Sequence, residues 1–203
     1  MSLDNLPFNW FDVLVLVMLF GGIHQGRKHG MSEELLSMLK WVAIAIGCAF
    51  IYQPLGSVLA HGSVFGQLSA FLMAYLAGAL AIAAGFAMLK KSLGGKLIGS
   101  DAFGRSEFYL GMFAGAIRFC CILLAGIALL NARYFNPDEI QANRAYQNDV
   151  YGSNFFPSLY SVQAQVFETS LTGPWIRSQL GFLLIEPTAP EENQLKQKEF
   201  AVP

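Results

Sequence analysis

A chain of 203 residues with 13 basic and 14 acidic side chains carries a net charge of −1 and offers no strongly basic surface for nucleic acid. Its 54% hydrophobic and 13% charged content is unlike that of a water-soluble domain of this length and points to the bilayer as its solvent. The cysteines Cys48, Cys120 and Cys121 all fall in apolar runs without CxxC or Cys/His ligand spacing, so neither a disulfide nor a metal site is expected, and no cofactor motif is found.

Roughly 20 residues of helix cross a hydrocarbon core about 30 Å thick. The first apolar run, 11–23, is short for that purpose. It reaches spanning length once the aromatic entry at Phe8 and Trp10 and the polar exit to Gly26 are included. No positive n-region precedes it and no A-x-A-like cleavage site follows, so a retained helix is expected rather than a removed signal peptide. The runs 35–52, 68–89 and 108–130 qualify directly. The expected fold class is therefore an all-α integral membrane protein, a bundle of about four transmembrane helices over residues 1–131.

Loop charge predicts orientation, because Lys and Arg near the ends of spans stay cytoplasmic. Arg27 and Lys28 occupy the first connection, and Lys90, Lys91, Lys96 and Arg105 the third. The connection 53–67 and the segment before Phe11 have no Lys or Arg. The basic loops should face the cytoplasm and both termini should lie outside it, with Arg133 a modest vote against.

Residues 132–186 are expected to form a short helical extra-cytoplasmic tail. Asn136-Pro137-Asp138-Glu139 reads as a helix start, with Asn as cap, Pro at the first position and acids in the first turn. Phe155, Leu159, Val162 and Val166 recur at helical spacing, and Gly173-Pro174 is expected to end that run. Residues 175–185 are apolar but too short to span, and should pack on the tail or lie along the membrane surface. Residues 187–203, rich in Pro, Glu and Gln, are expected to be disordered.

In the first hairpin, Asp12 opens a span, and His29-Gly30 is followed by Glu34 and then Trp41. This order resembles the colicin V production (CvpA) family, in which an Asp at the start of the first helix precedes an Arg-Gly pair, a Glu and often a Trp. His29 stands where Arg is usual, with Arg27 and Lys28 nearby. A second family signature, approximately Asp-Arg-x-Leu-Gly-x-x-x-Gly-x-x-Arg-Gly, is matched by Leu110, Gly111, Gly115 and Arg118, with Glu107-Phe108 at its opening and Phe119 at its last position. The resemblance covers roughly residues 10 to 130. It implies a multi-pass bacterial inner-membrane protein needed for colicin V production, of a family whose molecular activity is not established. Some relatives carry an extra-cytoplasmic domain where the tail lies here.

Arg118 is the most informative residue, since a charge in the middle of a span costs a few kcal/mol unless it finds a partner or a wet cavity. Asp12 and Glu34 are its candidate counter-charges; a structural role, bonded to backbone carbonyls or snorkelling, is the competing reading. Lys40 can snorkel to the interface, and Glu33 and Glu34 suit the first turn of the second span. Gly22, Gly26 and Gly30, with Gly111 and Gly115, give GxxxG steps expected to serve helix packing, within or between subunits. His24 and His29 near Glu33 lack HExxH spacing and a third ligand. No GxSxG, Walker A or Rossmann glycine pattern occurs, so an enzyme is not expected. The expected function is that of a CvpA-like protein supporting colicin V production and secretion or envelope homeostasis. The alternative is a small transporter or channel subunit with a polar site at Arg118. The partners expected are the lipid bilayer and either a second copy or an envelope protein bound by the tail.

Overall fold

The computed structural model describes residues 9–62, 66–98, 104–136 and 158–188, with short stretches at 140–141, 145–146 and 148–149. Among these residues the fold is helical, with a single isolated β-bridge between Arg133 and Thr188. Helix α1 runs from Trp10 to Gly62, α2 from Gln67 to Ile98 and α3 from Glu107 to Asn131. All three are long and apolar enough to cross a membrane by length and composition. The short helices α4 (Leu159–Ala164) and α5 (Thr172–Leu180) follow in the tail.

Helix α1 is not one rod. Its 53 residues would extend about 80 Å if straight, and would hold Phe11 and Tyr52 about 60 Å apart. Both nevertheless belong to one buried cluster with Ile185. The reversal occurs at Gly30, whose φ of 74° and ψ of 173° are non-helical and cost a residue without Cβ little. Residues 10–29 and 31–62 are thus two arms folded back on each other, and the polar stretch around Arg27 and Lys28, expected as a loop, is helical up to that glycine.

Two seams hold the bundle. Residues 22–30 run antiparallel to the start of α3: Gly22 faces Gly115 and Phe119, Gly26 faces Gly111, and Gly30 faces Glu107. A Cβ at Gly22 would stand 2.7 Å from the Gly115 carbonyl oxygen, and one at Gly26 would fall on the Gly111 carbonyl, so the backbones touch. The second arm of α1 runs antiparallel to α2, with Gly56 against Phe71, Cys48 against Gly78 and Gly47 against Ile82. Tyr52 and Phe71 meet edge to face with centroids 5.7 Å apart. Outside these seams the bundle displays large apolar side chains, from Val17, 61% exposed, to Met88, 74% exposed, a surface suited to acyl chains rather than water.

The tail is fastened to one end of the bundle. Asn131 Nδ2 donates to the Ile185 carbonyl at 2.9 Å, and the Glu186 N–H donates to the Tyr52 hydroxyl at 3.1 Å. The Tyr134 and Thr188 N–H groups donate to the Thr188 and Ala132 carbonyls, so residues 187 and 188, expected to belong to a disordered end, are held in the bridge beside α3. Gly173-Pro174 does not end a helix. The break comes at Ser170, after a π-turn over Gln165–Thr169, and Gly173 and Pro174 lie in the first turn of α5. Proline lacks only a donor that is surplus in a first turn, so it starts α5 as readily as it would have stopped α4. Ile176, Leu183, Leu184 and Ile185 are buried, whereas Trp175 and Phe182 are exposed. Phe155 and most of the helix expected after Asn136 lie outside the described residues, as do residues 189–203.

Candidate functional site around Arg118 and Glu34

Arg118 sits near the middle of α3, and Glu34 lies one turn beyond the reversal at Gly30. Folding the arms at Gly30 brings Glu34 alongside α3, and the long arginine stem covers the remaining distance. Arg118 Nη1 donates to Glu34 Oε2 at 2.5 Å, and Nη2 donates to Gln25 Oε1 at 2.8 Å. The Glu34 side chain is 3% exposed and that of Arg118 13%, so the pair is withdrawn from solvent. The guanidinium also lies 5.0 Å from the Phe119 ring centroid. The charge that the sequence left without an assured partner is met by a carboxylate, an amide and an aromatic face.

His29 completes the cluster. Its Nδ1 is 3.0 Å from the Gln25 carbonyl oxygen and 3.6 Å from Glu34 Oε1. A carbonyl only accepts, so Nδ1 carries the hydrogen of this contact. Beside the cluster opens a cavity of about 370 Å³, whose polar walls include Ser32, Glu33, Ser37 and Lys90. The site therefore unites a buried ion pair, an imidazole and a polar-walled cavity at the end of the bundle where Lys90 lies.

Asp12 is not part of it. The carboxylate stands at the tail end, where it accepts from the N–H groups of Asn9 at 3.0 Å, Leu171 at 3.1 Å and Thr172 at 3.0 Å, and from the Thr172 hydroxyl at 2.7 Å. The residue at the start of α5, Leu171, makes no side-chain cap; the Ser170 hydroxyl accepts from the Gly173 N–H, and Asp12 takes the Leu171 and Thr172 N–H groups from across the fold, an anion at the positive end of a helix. Its role is to dock the tail. Lys40 does not line the cavity beside Arg118 and lies 5.5 Å from the Trp41 ring centroid. His24 and His29 fall on opposite flanks of the glycine seam, His24 in an outer groove with Arg27 and His29 against Glu34. Among the described residues, no three His, Cys, Asp or Glu side chains gather as metal ligands.

Gln25 is the member of the site that reading the sequence missed. A single amide in a span is ambiguous, but Gln25 and His29 are one helical turn apart, on the same flank of the Gly22, Gly26 and Gly30 stripe. That pairing was the available signal. No protein-family model, no characterised protein and no solved structure matches the chain.

Proposed function

We propose that the chain is a bacterial inner-membrane protein of the CvpA kind. On this reading four segments cross the membrane, the two arms of α1 separately and then α2 and α3, with both termini outside the cytoplasm. It supports colicin V production and secretion or the homeostasis of the envelope, without catalysing a reaction, and its Arg118–Glu34 pair is the functional centre. One observation carries this. Glu34 belongs to the first of the two motifs on which the resemblance rests and Arg118 to the second, and they come from separate hairpins to meet in one buried pair. The tail, fastened by Asp12, Tyr52 and Asn131, is the part offered to a second copy or an envelope partner.

The test is complementation. In a bacterial strain deleted for this gene, a copy carrying Lys40→Ala is expected to restore colicin V export and growth under envelope stress, and a copy carrying Arg118→Ala to fail, at equal membrane abundance by immunoblot. Equal performance of the two variants would contradict the assignment of the centre.

A second reading, a transporter or channel subunit, is favoured by the cavity of about 370 Å³ that reaches Arg118. Solute flux into proteoliposomes that is lost with Arg118→Ala would select it over a partner-binding role.

A further inference from the structure

The glycine seam sorts polar residues to two sides. Gln25 and His29 flank it on the side of Glu34 and Arg118. His24, Arg27 and Lys28 flank it on the other and form one wall of a groove of about 750 Å³, with Phe108, Tyr109 and Met112 of α3 as the facing wall. The separation follows from about 100° of rotation per residue, which sets 24, 27 and 28 on one helical stripe and 25 and 29 on another. All three basic-wall side chains are exposed, as are Phe108 and Tyr109.

Among the described residues, no carboxylate lines the groove. Glu107, the acid next to the aromatic wall, sets its carboxyl group against Gly30, on the seam itself. Among the described residues, neither Arg27 nor Lys28 forms an ion pair, whereas Arg118, a few residues away through the seam, does. The two walls continue toward the middle of the bundle in apolar surface, Phe20 lying one turn before His24 and Phe113 one turn after Tyr109. Cations at the end of the apolar bundle, an aromatic hydroxyl beside them and an apolar track leading inward match the parts of a phospholipid in order.

We propose that this groove binds an anionic phospholipid, with the phosphate headgroup held by Arg27 and Lys28, assisted by His24 and the Tyr109 hydroxyl, and an acyl chain lying along Met112, Phe113 and Phe20. The inference needs only that the bundle be embedded in a bilayer. It does not depend on the function proposed above or on which leaflet the basic end meets.

Native mass spectrometry of the purified full-length protein in detergent, offered phosphatidylglycerol and phosphatidylcholine with the same acyl chains, tests it directly. The wild-type protein is expected to retain phosphatidylglycerol roughly tenfold over phosphatidylcholine, as two juxtamembrane cations near an anionic headgroup allow. Arg27→Gln together with Lys28→Gln should abolish the preference, and Lys91→Gln, whose exposed side chain lies outside the groove, should leave it. Equal retention of both lipids, survival of the preference in the double variant, or equal loss with Lys91→Gln would overturn the proposal. Should the double variant fail to fold, the wild-type preference is tested against inorganic phosphate. Displacement of phosphatidylglycerol by millimolar phosphate would show a site for free phosphate, not lipid, and failure to displace it supports the apolar track.

Discussion

Gly26→Ala is expected to destabilise the bundle by about 3 kcal/mol, toward the upper end of overpacking costs, because the new methyl group would fall on the Gly111 carbonyl oxygen. The obstacle is backbone, which cannot turn aside as a side chain can, so the two helices must part along the seam that also positions Gln25 and Arg118. The same substitution at Gly85 meets nothing within 4 Å and is expected to be neutral or to stabilise by about 0.5–1 kcal/mol through helix propensity. Thermal unfolding in detergent, followed by circular dichroism, checks both. Opposite shifts for one chemical change isolate packing from propensity, and equal shifts would mean that the glycine seam is not a contact.

Removing one member of the buried ion pair is the second large effect. Arg118→Met leaves the Glu34 carboxylate inside the bundle without its guanidinium partner, with His29 3.6 Å away, and Glu34→Met leaves the guanidinium with Gln25 and Phe119. Each is expected to cost about 3–5 kcal/mol, since the loss is dominated by the charge left behind. Replacing both by Met removes both charges, and an apolar pair of similar volume is often neutral. The double variant should therefore be more stable than either single one, with a coupling energy of about 3 kcal/mol in a double-mutant cycle. Additive losses would show that the two residues do not meet. The cycle also separates stability from activity: a double variant that folds but does not complement would place function in the charges themselves.

Much of the bundle was legible in the sequence because a bilayer asks for long apolar helices, and such runs are visible by length alone. The reversal at Gly30 was less so. Arg27 and Lys28 look like a loop, but their side chains reach the surface from within a helix, and the turn needs only one glycine in a non-helical conformation. Glu34 and Asp12 were both candidates for Arg118, the first expected near the inner face and the second near the outer, and the sequence assured the reach of neither. Folding chose between them by putting Glu34 beside α3 and Asp12 beneath the N-terminus of α5. Gly173-Pro174 was misread because proline is compatible with a helix start as well as with a stop, and the arbiter was Ser170, whose hydroxyl donates to the Val166 carbonyl and accepts from the Gly173 N–H. Those contacts are tertiary or cap-specific, and no periodicity encodes them.

The central claim is that α1 crosses the membrane twice, turning at Gly30, and that the tail lies on the side away from the basic end. Cysteine accessibility in intact cells tests it most directly, in a background with Cys48, Cys120 and Cys121 replaced by alanine and single substitutions Lys28→Cys, Ser57→Cys, Ser92→Cys and Ser161→Cys. The account predicts that an impermeant thiol reagent labels the variants at positions 57 and 161, and labels those at 28 and 92 only after the inner membrane is opened. Labelling of positions 28 and 57 from the same side would contradict the reversal across the membrane, and labelling of 28 and 92 alone from outside would invert the orientation.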